Sequence, residues 1–176
     1  MSYETAQKLM PHSCLKEEKE LINDFYEREV KVKKMHPNAE HPKKATSLAG
    51  AYDIKVTRIE KVSPDFVICW VGMAFGLPEN TRLMLNPRSS LVNTTWILQN
   101  SPGLGDADYV NEYSFRFRAL PTGIDTNNQF TYDKFPYNVG DRIGQIYLEE
   151  IIPISFRDVD DLPKFDRIDG YGSTGR

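Results

Sequence analysis

The run Asn100-Ser101-Pro102-Gly103-Leu104-Gly105-Asp106-Ala107-Asp108-Tyr109-Val110-Asn111-Glu112 sets two aspartates and an aromatic ring directly behind an Asn-Ser-Pro-Gly turn signal. Such a signal places them at a strand end or hairpin, not inside a helix. An aspartate there is ionised at neutral pH and can take a proton from water as a general base. Carboxylates in loops are mostly plain solvated surface, so the stretch reads as chemistry only if other parts of the chain bring it a substrate.

Three further stretches could do so by holding an anion. Pro87-Arg88-Ser89-Ser90-Leu91 offers a guanidinium and two hydroxyls at a strand end, donors suited to phosphate oxygens. Gly140-Asp141-Arg142-Ile143-Gly144-Gln145 offers an amide donor on a strand. The end of the chain, Gly170-Tyr171-Gly172-Ser173-Thr174-Gly175-Arg176, can present backbone N–H groups and hydroxyls as glycine-rich phosphate loops do. With no following segment to fix it, such a tail is expected to be mobile until something docks it.

The elements that must position these residues are mostly strands. Short runs at 54–62, 66–75, 82–85, 95–98, 113–118 and 143–152 are punctuated by Pro and Gly, which indicates an all-β sandwich or barrel and not an alternating α/β fold. In the run 113–118, Tyr113, Phe115 and Phe117 alternate with Ser114, Arg116 and Arg118, so one face is apolar and the other polar. An alternating strand is also expected at Glu29-Val30-Lys31-Val32-Lys33-Lys34, and a turn-rich loop over 121–138. The one helix expected spans 13–27, where Ser13 can cap and Leu15, Leu21, Ile22 and Phe25 recur at helical spacing.

The bulk properties narrow the classes. A chain of 176 residues fits one domain that can bury its own core. Its formal charge of -3 gives no basic footprint, so no nucleic-acid partner is expected. Cys14 and Cys69 are far apart and read as free thiols in a reducing compartment. His36 and His41 lie in a Pro-rich connection without a ligand set, so no metal ligand is assigned to them. The N-terminus lacks a secretory pattern, and the most apolar run, 66–77, is about half the length of a membrane span. A cytoplasmic protein with no membrane partner is expected.

The order of the motifs is specific. Ala49-Gly50-Ala51-Tyr52-Asp53, then Pro87-Arg88-Ser89-Ser90-Leu91, the stretch 100–112, Gly140 to Gln145 as spelled out above and the glycine-rich tail together resemble the five ordered motifs of the trimeric dUTP pyrophosphatase (dUTPase) family. The resemblance covers 29–176, leaving the helical extension read at 1–28 outside it, and implies an all-β, distorted jelly-roll barrel with a β domain at 29–165 and a mobile arm at 166–176. It also implies a homotrimer whose active sites combine motifs of different chains, and Mg2+-assisted hydrolysis of dUTP to dUMP and pyrophosphate. That activity would limit uracil incorporation into DNA.

The resemblance also distributes roles. Asp106 matches the catalytic carboxylate that activates the attacking water, and Asp108 receives no role. Tyr109 matches the ring beneath the deoxyribose, where a 2'-hydroxyl would collide. Asn100 and Gly103 match contacts to base and sugar, and the hairpin backbone near Ser114 would read the uracil edge. Arg88, Ser89, Ser90 and Gln145 match phosphate ligands. In the tail, Tyr171 would stack on uracil while Gly172, Ser173 and Thr174 close over the γ-phosphate, excluding water. Arg167 stands near the family's arm arginine, and Asp53 is a supporting acid. Mg2+ would bridge the phosphates with waters, so no protein atom is assigned to the metal.

The chain departs from the family pattern in places. Gly105 replaces an isoleucine before the catalytic acid, which is expected to loosen the loop. Val110-Asn111 replaces Arg-Gly, Asp169-Gly170 replaces Gly-Gly, and Asp166 falls where the arm arginine belongs, with Arg167 one place out of register. Two other functions fit parts of the pattern: a regulatory protein of the same fold that binds a repressor or signalling partner, and a dCTP deaminase relative, which Arg88-Ser89-Ser90-Leu91 also resembles.

Overall fold

The computed structural model describes residues 28–163. The helix expected over 13–27 and the arm residues Arg167, Tyr171, Gly172, Ser173 and Thr174 lie outside them. The chain forms β1 (Lys31–Lys34), β2 (Tyr52–Lys55), β3 (Arg58–Ser63), β4 (Phe66–Trp70), β5 (Met73–Gly76) and β6 (Thr81–Asn86), then a 3-10 turn at Ser89–Asn93. There follow β7 (Trp96–Leu98), β8 (Gly103–Gly105), β9 (Ser114–Ala119), β10 (Gly123–Ile124), β11 (Phe130–Thr131) and β12 (Arg142–Glu150).

Two four-stranded antiparallel sheets result, ordered β2-β12-β6-β8 and β3-β4-β9-β7. Ile54, Leu83, Leu85, Ile143 and Ile146 of the first share one apolar cluster with Val67, Cys69, Leu98, Phe115 and Phe117 of the second. The molecule is therefore an all-β sandwich of the jelly-roll-like kind. The alternation in β9 drives it: Phe115 and Phe117 are fully buried while Arg116 is exposed, and each buried ring contributes on the order of 1.5–3 kcal/mol. Phe115 reaches the facing sheet so closely that a Cβ on Gly144 would stand 2.7 Å from its Cδ1. Within this core the thiol of Cys69 is free and fully buried, and burial pushes its pKa up to about 12.

Several strand boundaries differ from those the sequence suggests. The run 54–62 divides at Val56-Thr57, because Val56 N–H donates to Asp141 C=O at 3.0 Å while Thr57 N–H donates to Trp70 C=O at 2.8 Å. The chain thus passes from one sheet to the other. The run 66–75 divides at Gly72, whose φ of 67° is left-handed and open to glycine without steric cost. A Cβ there would stand 2.7 Å from His36 Cβ. Beyond Gly72, β5 pairs with β1.

Gly103-Leu104-Gly105, read as part of a turn, is a strand paired to β6 with Leu85 opposite Gly103 and Leu83 opposite Gly105. Both glycines are buried, and a Cβ on Gly103 would stand 2.9 Å from Leu85 Cβ. The loop 121–138 carries a small hairpin, β10 with β11, whose turn is held by Asp125 Oδ1 accepting from the N–H groups of Asn127 and Gln129. Among the described residues no helix is long and apolar enough to cross a membrane.

Candidate active site

The segment after β8 folds back on itself through short-range bonds. Tyr109 N–H donates to Asp106 C=O at 3.1 Å, closing a β-turn that starts at an aspartate, a residue favoured there. Asp106 is exposed. The Tyr109 hydroxyl donates to Glu112 C=O at 3.1 Å, and Glu112 Oε1 accepts from Gly72 N–H at 2.8 Å. The left-handed glycine between β4 and β5 therefore anchors the hairpin that carries Asp106 and Tyr109.

Asn100 closes the base of this hairpin. Its Nδ2 donates to Ser114 C=O at 3.1 Å and its Oδ1 accepts from Arg116 N–H at 2.8 Å. The side-chain amide thus imitates one rung of a β ladder and holds the backbone of residues 114–116 in place.

Asn100, Gly103, Asp106, Tyr109 and Ser114, all expected at the site, wall a single cavity of about 310 Å³. That volume lies in the range of small-molecule sites. Leu85, Leu104, Gly105, Tyr113 and Arg116 complete the wall, and sequence reading assigned none of them a role. Tyr113 was legible only as the first apolar residue of the β9 alternation. Its buried phenol has a pKa pushed up to about 12, by burial first and then by the neighbouring Tyr109 and Asp106.

Gly105 does not leave a slack loop as expected. A Cβ on it would fall on the Tyr113 phenol, 2.5 Å from Cε1, so the Tyr113 ring already fills the space a side chain at 105 would take.

Arg88, Asp53 and Gln145 form a second cluster. Asp53, 7% exposed, accepts from Arg88 Nε at 3.3 Å and Gln145 Nε2 at 3.1 Å on Oδ1, and from Arg142 Nη1 at 2.9 Å on Oδ2. Strand register causes this, since Gln145 of β12 lies opposite Asp53 on one side and opposite Asn86, two residues before Arg88, on the other. Arg142 was part of the expected motif but had no assigned role. Its guanidinium and that of Arg88 face one carboxylate, so the cluster keeps a net positive charge. Ser89 and Ser90 open the 3-10 turn after Arg88, and the Ser90 hydroxyl lies 3.5 Å from that of Tyr137.

The two clusters do not meet within one chain. Asp106 follows Gly105, which is level with Leu83 on β6, whereas Arg88 lies beyond the other end of β6 at Asn86. From the level of Arg82 to Asn86 is four residues, about 13 Å of strand. No hydrogen bond or ion pair among the described residues joins the Asp53 cluster to the hairpin. Nor do three His, Cys, Asp or Glu side chains among them gather as a metal site.

A β sandwich with a nucleotide-sized cavity beneath a hairpin and a separate cationic cluster on the same sheet is a frame for binding a polyanionic small molecule. The family model described as dUTPase matches residues 37–175, and the chain belongs to the dUTPase family. A deoxyuridine 5'-triphosphate nucleotidohydrolase of Solanum lycopersicum is 33% identical over 149 residues, covering 82% of this chain and 80% of that protein. One of Helicobacter pylori is 30% identical over 150 residues, covering 83% and 96%.

Among solved structures, a mutant dUTPase of Staphylococcus bacteriophage 80alpha with dUpNHpp superposes with a TM-score of 0.67 at 19% identity, covering 84% of this chain and 98% of that one. A mutant dUTPase from phage phi11 of S. aureus, described with a structural Mg(II) ion, gives a TM-score of 0.61 at 18% identity, covering 77% and 99%. These structural likenesses speak to the fold alone.

Proposed function

We propose that this protein hydrolyses dUTP to dUMP and pyrophosphate. The observation that carries the reading is the convergence of Asn100, Gly103, Asp106, Tyr109 and Ser114 on one cavity, in a chain of the dUTPase family. Uracil would lie against the backbone that Asn100 holds open, with the deoxyribose over the Tyr109 ring. Asp106 would orient a water toward the α-phosphorus and take its proton as the new P–O bond forms. The bond from the α-phosphorus to the bridging oxygen then breaks, and pyrophosphate leaves with that oxygen.

The phosphates would be held by Arg88, Ser89, Ser90 and Gln145. Asp53 supports them by orienting Arg88 and Gln145 through direct bonds. Both of its oxygens are already engaged in this way, which suits it to positioning and not to metal ligation. Mg2+ fits as an ion carried on the phosphates with its own waters, where it would supply charge neutralisation. Because the hairpin and the Arg88 cluster stand apart along β6, a complete site calls for a second copy of the chain, in keeping with a homotrimer. The arm residues Arg167, Tyr171, Gly172, Ser173 and Thr174 would close that site. Division into 1–28, 29–165 and 166–176 and a cytoplasmic location belong to the same reading.

The test is pyrophosphate release by the purified protein from dUTP, dCTP, dTTP and UTP with Mg2+. Selective turnover of dUTP is expected, and Asp106→Asn should keep the fold while lowering kcat by about 100- to 10,000-fold. Ammonia release from dCTP, or full activity of Asp106→Asn, would overturn the assignment.

A further inference from the structure

Tyr109 sits at the cavity with 41% of its surface exposed, and its own turn fixes only its hydroxyl and its backbone N–H. What sets the depth of its ring is Tyr113. The two rings meet edge to face at 5.0 Å with planes at 80°. Behind Tyr113, Phe75 of the core makes a second edge contact at 5.2 Å and 79°. Tyr113 cannot retreat, because its N–H donates to Met73 C=O at 3.0 Å and its C=O accepts from Val71 N–H at 3.2 Å. It cannot move sideways into the β8 hairpin either, since its phenol already occupies the place of a side chain at Gly105. The row Phe75, Tyr113, Tyr109 thus transmits the position of the core to the cavity.

We propose that Tyr113 is a specificity-determining residue: by buttressing the Tyr109 ring it sets how strongly the site prefers a deoxyribose to a ribose nucleotide. The inference rests on the reading that Tyr109 packs beneath the sugar. Repulsion at van der Waals contact is steep, so a slight withdrawal of the ring admits a 2'-hydroxyl that the buttressed ring excludes. The ring of Tyr113 carries this function and its hydroxyl does not, because that hydroxyl is buried and has no hydrogen-bond partner among the described residues.

The experiment measures kcat/KM for dUTP and UTP in the full chain. Tyr113→Phe, which keeps the ring, should keep the ratio of the two and melt no lower than the native protein, since it removes a buried hydroxyl with no partner among the described residues. Tyr113→Leu should lower the preference for dUTP by about three- to tenfold, the effect expected for losing one aromatic edge contact. A purely structural role would change the folded fraction and so scale both substrates alike.

Gly105→Ala presses on the phenol from the other side and should also shift the ratio, which keeps the test decisive if Tyr113→Leu does not fold. Native preference for dUTP with an unchanged ratio in the variant that folds overturns this inference alone. A native protein that does not hydrolyse dUTP overturns the assigned function, and the inference with it.

Discussion

Asp53 shows how one residue organises a cluster of three others, Arg88, Arg142 and Gln145. Two guanidinium groups and an amide converge on a carboxylate with almost no access to water, an arrangement that is tolerable only while charge and hydrogen bonds are both satisfied. Removing the carboxylate leaves Arg88 and Arg142 facing each other. The two guanidinium groups left behind keep access to water, with side chains 24% and 50% exposed, so the loss is that of charge-assisted hydrogen bonds, about 1.5–3 kcal/mol. Asp53→Ala is therefore expected to lose about 2 kcal/mol in urea denaturation and to raise KM for dUTP, as Arg88 and Gln145 lose their common anchor. Native stability in that variant would show that the cluster is held by other means.

At the scale of elements, the hairpin depends on the break between β4 and β5. Gly72 adopts a left-handed backbone, and its N–H holds Glu112. Gly72→Ala should cost at least about 1–2 kcal/mol for the left-handed conformation alone, with more for the clash with His36 and Thr57. Alanine keeps the N–H that Glu112 accepts from, so KM for dUTP should rise as the clash with His36 and Thr57 displaces that N–H, along with the drop in denaturation midpoint. A variant as stable as the native protein would contradict this account of the break.

The same elements show what the sequence could and could not display. The alternation of Tyr113, Phe115 and Phe117 is a local signal, and the burial pattern of β9 follows it. Asn100, Gly103, Asp106, Tyr109 and Ser114 were named together by the resemblance of their motif, and lying within one hairpin's length of chain they share one cavity. The breaks at Val56-Thr57 and Gly72 were hidden because a strand-like run looks alike whether it continues in one sheet or crosses to another. Gly103-Leu104-Gly105 passed for a turn because its glycines serve close approach of Leu85 and Tyr113, a demand set by residues distant in sequence. For the same reason Tyr113 carried no visible role: what gives it one is the empty position at 105 and the rings of Phe75 and Tyr109.

For the whole molecule, the separation of Asp106 from Arg88 along β6 makes a strong demand on assembly. If each site takes its hairpin from one copy and its Arg88 cluster from another, two inactive variants can repair each other. Asp106→Asn supplies an intact Arg88 cluster and Arg88→Ala supplies an intact hairpin, so a site built from one of each in the right order is fully native in its side chains. After unfolding and refolding an equal mixture, the hairpin of a site is intact with probability one half and its Arg88 cluster with probability one half. About a quarter of native activity is then expected on random assembly, while either variant refolded alone stays inactive. If both groups acted within one chain, mixing would add nothing, and activity no greater than that of the separate variants would refute the shared site.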